Sequence, residues 1–136
     1  MAIDPSNILL TGRVAVVTGG GVGIGRGIAE GLAAFGASVA IWEHNAETCT
    51  SAAEAIGGLG IVTDVRDSEQ VDAALQRTTS ELGVPSILVN NPAACFARRC
   101  SKPARTAGMR SKHRVSHSAS YLRICYSLFR KYHARH

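Results

Sequence analysis

The sequence predicts an α/β fold: a parallel sheet of about four strands with helices on both faces, followed by a basic, mostly irregular tail. Three observations lead there. Short apolar runs alternate with stretches of helical period. A glycine-rich corner follows the first apolar run. Charge then divides the 136-residue chain in two. Up to Cys95 there are ten acids against Arg13, Arg26, Arg66 and Arg77, a balance of −6. From Phe96 to His136 there are eleven Arg or Lys and no acid, a balance of +11, and four of the five histidines lie there too.

The elements follow in order. Residues 13–19, RVAVVTG, are apolar and β-branched, as in a strand buried on both faces of a parallel sheet. Ile24, Ile28 and Leu32 recur every four residues and predict the inward stripe of a helix, which Gly36 closes. Residues 37–42, ASVAIW, are the second strand. Residues 45–56, rich in Ala and Glu, are helical, and Gly57, Gly58 and Gly60 punctuate their end. Residues 60–65, GIVTDV, give the third strand. Asp67 or Ser68 caps the next helix, whose apolar positions are Val71, Ala74, Leu75, Thr78 and Leu82, and Gly83 and Pro85 end it. Residues 86–90, SILVN, are the fourth strand. Such alternation implies right-handed crossovers and a Rossmann-like half-domain over residues 1–95.

The chemistry sits in the turn after the first strand, VVTGGGVGIGRG. Glycines let the backbone approach a phosphate, and the N–H groups and dipole of the following helix hold its negative charge. Gly19 makes the tight turn, Gly23 and Ile24 offer N–H groups to a pyrophosphate, and Gly25 lets the helix pack close to the strand. Glu43 directly follows the second strand, placed to accept from the adenosine ribose hydroxyls and to repel a 2′-phosphate. With no Arg or Lys at Val22 or beside Glu43, the expected cofactor is NAD in preference to NADP.

The pattern Thr18-Gly19-x-x-x-Gly23-Ile24-Gly25, with Glu43, Asp64-Val65 and Asn90-Asn91, resembles the short-chain dehydrogenase/reductase family over the first two-thirds of the chain. The resemblance implies an NAD(P)-dependent oxidoreductase that moves hydride between alcohol and carbonyl. It implies that Asp64 contacts the adenine with the Val65 backbone beside it. It also implies that Asn90 and Asn91 support the sheet and line the cofactor ribose. The family continues Asn-Asn-Ala-Gly, whereas this chain has Asn90-Asn91-Pro92-Ala93. Pro92 removes an N–H and pushes Asn91 towards extended geometry.

The family's later parts are a catalytic Ser and Tyr-x-x-x-Lys, whose Tyr moves the proton while Lys lowers its pKa. Tyr121 is followed four residues on by Cys125, and Tyr126 by Arg130, with Lys131 one place too late. Arg is a poor stand-in, so no catalytic residue is assigned and this chain alone is expected to be inactive. The tail, 96–136, carries one amphipathic stretch near 119–132 (Tyr121, Leu122, Ile124, Cys125, Leu128, Phe129, Tyr132). Residues 97–119 show neither strand nor sustained period and are expected to be irregular. Loss of acids with gain of Arg, Ser, His and Cys reads as translation in a shifted frame. The alternative is a nucleotide-binding module whose basic tail contacts nucleic acid or an anionic membrane surface.

No apolar run approaches the length of a membrane span, and the start has no secretory pattern. Cys49, Cys95, Cys100 and Cys125 have neither CxxC pairing nor metal-ligand rhythm. The expectation is a cytoplasmic, reduced chain with a dinucleotide as its partner, no metal and no specific nucleic acid. The native family oligomer is not expected to form.

Overall fold

The computed structural model describes residues 8–91, and all four strands and three helices expected before residue 91 are present. The elements are β1 (Val14–Thr18), α1 (Gly23–Ala34), β2 (Ser38–Glu43), α2 (Ala46–Ile56), β3 (Leu59–Val62), α3 (Ser68–Glu81) and β4 (Ile87–Val89). All strand pairs are parallel, in the order β3-β2-β1-β4. The chain thus builds outward from β1 to β3, then crosses back to lay β4 on the other side of β1.

Period-two side-chain alternation sends each strand's residues to opposite faces and divides the core in two. Val16, Ala40, Trp42 and Ile61 meet Val71, Ala74 and Leu75 of α3 on one face. Ala15, Val17, Val39 and Ile41 meet Ala29 of α1 and Cys49 and Ala52 of α2 on the other. Every residue of β1 is buried, because both faces are covered. Trp42, the only tryptophan, is fully buried, and its Nε1–H donates to Thr78 Oγ1 at 3.2 Å. That bond satisfies the indole where it is cut off from water and ties α3 to the central sheet.

Three expectations need correction. Ile24 does not belong to the inward stripe of α1: it is 78% exposed, and Gly25 and Ala29 are buried instead. Gly25 must face the β1 turn, and at about 100° per residue this swings Ile24 outward. Glu43 is the last residue of β2 rather than the residue after it, paired in register with Val62. β3 stops at Val62, so Asp64 and Val65 lie in the loop beyond it.

Helix ends match their local chemistry. Gly36 (φ +94) follows the α1 cap residue Phe35; its N–H bonds Ala33 O, and Ala37 N–H bonds Leu32 O. This left-handed closure suits glycine. Asp67, not Ser68, caps α3. Among the described residues, no helix is long and apolar enough to cross a membrane, and no strand flanks the outer edge of β4. The expected junction at residue 95, the irregular stretch 97–119 and the helix near 119–132 lie outside the described residues.

Candidate dinucleotide site

The order β3-β2-β1-β4 makes a crevice where the crossovers diverge, at the carboxyl ends of β1 and β4, and open α/β sheets bind ligands at such switch points. The glycine turn lies there. Gly19 leaves β1 in the left-handed region (φ +61) while its N–H still bonds Trp42 O at 2.8 Å. Gly23, also left-handed at φ +56, opens α1. Val22 occupies the cap position in extended conformation, and its side chain caps nothing. No acid lies in the first turn. The first N–H groups of a helix have no intrahelical acceptor, so this end presents donors and positive dipole to the crevice.

Gly25 shows why the turn needs its third glycine. A Cβ there would collide with the Gly19 carbonyl oxygen and stand 2.5 Å from Asn91 Nδ2. Asn91 is the tie that brings these parts together. Its Nδ2–H donates to Gly19 O at 3.2 Å, and its backbone N–H donates to Thr18 Oγ1 at 3.0 Å. Thr18 Oγ1 in turn lies 3.4 Å from Val89 O and from Asn90 Oδ1. The end of β4 is thereby fastened to the turn after β1.

Glu43 is 6% exposed. Its Oε2 accepts from Gly21 N–H at 3.3 Å, and its Oε1 accepts from the backbone N–H groups of His44 (2.9 Å) and Asn45 (3.4 Å). His44 Nδ1 stands 3.1 Å from the same Oε1. Burial works against the charge, but the hydrogen bonds from His44, Asn45 and Gly21 outweigh it, and the carboxyl sits below its ordinary range. The carboxylate thus braces the glycine turn as well as marking the end of β2. Gly21 is a participant that sequence reasoning passed over: a Cβ there would fall 2.8 Å from Glu43 Cγ and 2.9 Å from Thr48 Oγ1.

Asp64 lies one strand further out. Its carboxylate accepts from the Arg66 side chain, at 2.6 Å from Nη2, and from the Arg66 backbone N–H at 2.9 Å. The Arg66 guanidinium, then its backbone N–H, pushes the Asp64 carboxyl down to about 2. Val65 is partly buried and packs against the α3-facing core. Thr63 N–H bonds Glu43 O at 2.9 Å, which holds this loop beside the end of β2. Gly19, Gly23, Ile24, Gly25, Glu43, Asp64, Val65, Asn90 and Asn91 therefore all lie along the carboxyl edge of one sheet.

A doubly wound sheet with an uncapped glycine corner at its switch point defines a nucleotide-binding α/β protein. The family model described as short chain dehydrogenase matches residues 13–116, and the chain belongs to that oxidoreductase family. The chain is 40% identical over 91 residues to a 3-oxoacyl-(acyl-carrier-protein) reductase of Chlamydia muridarum, covering 62% of this chain and 37% of that one. A hydroxysteroid dehydrogenase structure from Escherichia coli matches with TM-score 0.61 and 32% identity, over 64% of this chain and 38% of that one. A 3-ketoacyl-(acyl-carrier-protein) reductase from Brucella melitensis, complexed with NADH, matches with TM-score 0.57 and 36% identity, over 58% and 34%. The chain spans about a third of the length of the relatives it matches. Members of this family bind a nicotinamide dinucleotide. The donor set fits such a group: bare N–H groups for phosphates, and no side chain beyond hydrogen at Gly25.

Proposed function

We propose that this chain carries the dinucleotide-binding half of a short-chain dehydrogenase/reductase and takes NAD in preference to NADP. The observation that carries the reading is the α1 amino end, uncapped at the switch point and braced by Glu43. Bound there, the nicotinamide supplies hydride transfer between an alcohol and a carbonyl. Gly23, Ile24 and Gly25 hold the pyrophosphate through backbone N–H groups, and Gly19 sets the turn that aims them. Glu43 receives the ribose hydroxyls, exchanging part of its hydrogen bonding to Gly21 and His44 for them. Its charge, buried at the end of β2, opposes a 2′-phosphate. Asp64 and the Val65 backbone flank the adenine, and Asn90 and Asn91 support the ribose side through Thr18.

Residues 1–95 are the binding unit in this proposal, and 96–136 are a basic tail outside it. The cytoplasmic, reducing setting and the lack of the family oligomer belong to the same proposal. The 136 residues hold no Tyr-x-x-x-Lys, so the chain by itself binds cofactor without turning substrate over. Calorimetry with NAD and NADP tests the preference: NAD binds more tightly, and Glu43→Ala narrows the ratio. Tighter NADP binding by the unmodified chain would overturn it. A turnover assay over a panel of alcohols tests the inactivity, with Tyr121, Tyr126 and Tyr132 each changed to Phe. Robust activity lost in one of those variants would show that the tail holds a catalytic tyrosine.

A further inference from the structure

Arg66 follows the Asp64-Val65 pair and folds back onto it. Its Nε–H lies 2.9 Å from Asp64 Oδ1 and 3.1 Å from Oδ2, and its Nη2–H donates to Oδ2 at 2.6 Å. Its backbone N–H donates to Oδ1 at 2.9 Å. The Arg66 side chain is 73% exposed and that of Asp64 31%, so the pair stands at the open edge of the loop after β3. We propose that Arg66 is a positioning residue for the adenine end of the site: its fork fixes the Asp64 carboxylate so that a remaining lone pair on Oδ2 receives the adenine 6-amino group. This rests on the dinucleotide reading above.

An ionised carboxylate has about four acceptor sites. The backbone N–H and the Nε–H of Arg66 engage Oδ1, and the Nη2–H engages one side of Oδ2, with the Nε–H leaning to Oδ1. That leaves a site on Oδ2 for a ligand. The loop backbone is held separately. Asp64 N–H donates to Gln70 Oε1, Gln70 Nε2–H donates to Asp67 Oδ2, and Asp67 N–H donates to Asp64 O, each at 3.0 Å. Asp67 also caps α3. The α3 end thus fixes the Asp64 backbone, and Arg66 fixes its side chain. Asp67 sets a second negative charge in the same loop, which the Asp64 charge opposes, and the guanidinium is the counter-charge. It also holds the Asp64 carboxyl down to about 2, so the group only accepts at neutral pH. Such a group suits a base edge that donates. Adenine offers a 6-amino donor, whereas a 6-oxo purine turns an acceptor toward the carboxylate.

The test is calorimetry of the full chain with NAD and with its 6-oxo analogue, nicotinamide hypoxanthine dinucleotide. The same titrations are run on Arg66→Gln, Arg66→Lys, Asp64→Asn and the double variant Asp64→Asn with Arg66→Gln. The unmodified chain should favour NAD about tenfold. Arg66→Gln should weaken NAD about fivefold and the analogue less than about twofold. Arg66→Lys keeps the charge without the fork and should fall between. Asp64→Asn should lose the preference, and adding Arg66→Gln to it should change NAD affinity less than about twofold. Equal weakening of both dinucleotides by Arg66→Gln would make Arg66 a loop clamp alone and overturn the inference. Tighter NAD binding by Arg66→Gln would show the fork competing with the base, and equal affinity of the unmodified chain for both would show no reading of the 6-position; each overturns it. All three results leave the NAD site standing. Failure of both dinucleotides to bind the unmodified chain would overturn the dinucleotide reading, and this inference with it.

Discussion

The amino end of α1 is open, whereas those of α2 and α3 are closed. Asn45 accepts from Thr48 N–H at 3.1 Å, and Asp67 accepts from Glu69 N–H at 2.9 Å and Gln70 N–H at 3.4 Å. Each of these helices also has an acid in its first turn, Glu47 and Glu69. α1 has Val22 at the cap and no acid. A cap adds about 1 kcal/mol to a helix and an acid in the first turn adds somewhat less. The α1 end forgoes both, and it is the end placed at the switch point of the sheet. Two ends are closed by their own side chains, and the third keeps its donors bare, as the proposed dinucleotide site requires.

Gly25→Ala is expected to have the largest effect. Its methyl would strike the Gly19 carbonyl and the Asn91 amide, costing about 2–3 kcal/mol of stability and abolishing measurable dinucleotide binding. Denaturant unfolding followed by Trp42 emission measures the first effect and calorimetry the second; unchanged stability would show that the helix stands further from the turn. Val22→Asp sharpens the comparison by giving α1 the closure of its neighbours. It should add about 0.5–1 kcal/mol of stability and weaken NAD about tenfold, because the new carboxylate occupies the N–H groups and repels phosphate. Gain of both stability and affinity would break the account.

Asn45→Ala removes the α2 cap alone. About 1 kcal/mol of stability should be lost while NAD affinity stays within about twofold, since the backbone N–H of Asn45 still reaches Glu43. The smallest effect comes from acid. Asp64 is lowered from an ordinary 3.8 to about 2 by Arg66. A depressed carboxyl contributes stability that is complete above its unfolded value and lost as pH falls through its folded value. That contribution therefore disappears between about pH 4 and pH 2. The pair is solvent-screened, so the loss is below about 1 kcal/mol. Asp64→Asn should flatten that part of the stability curve.

The sheet was legible because its strands are short apolar runs between glycine or proline signals, and RVAVVTG and ASVAIW allow little else. The capping of α3 by Asp67 was readable as one of two neighbours, since both side chains can accept from the first turn. Strand order was not, because it depends on contacts more than seventy residues apart, such as Thr18 with Asn90 and Asn91. Ile24 misled because four-residue spacing fixes a helix face only up to a rotation, and the demand of Gly25 for closeness decided it. Glu43 was readable as an acid at the end of the second strand, but its burial was not foreseen. Its partner Gly21 lies 22 residues away, in a run of three glycines that sequence alone cannot tell apart.

The central claim is that the open end of α1 holds the dinucleotide while the closed ends do not. Amide NMR of the full chain, labelled with nitrogen-15 and titrated with NAD, reads this directly. The account predicts saturable shifts at Gly23, Ile24 and Gly25, with Glu69 and Gln70 at the start of α3 unmoved. NAD that shifts the α3 amides, or that leaves those of Gly23 to Gly25 in place at saturation, would contradict it.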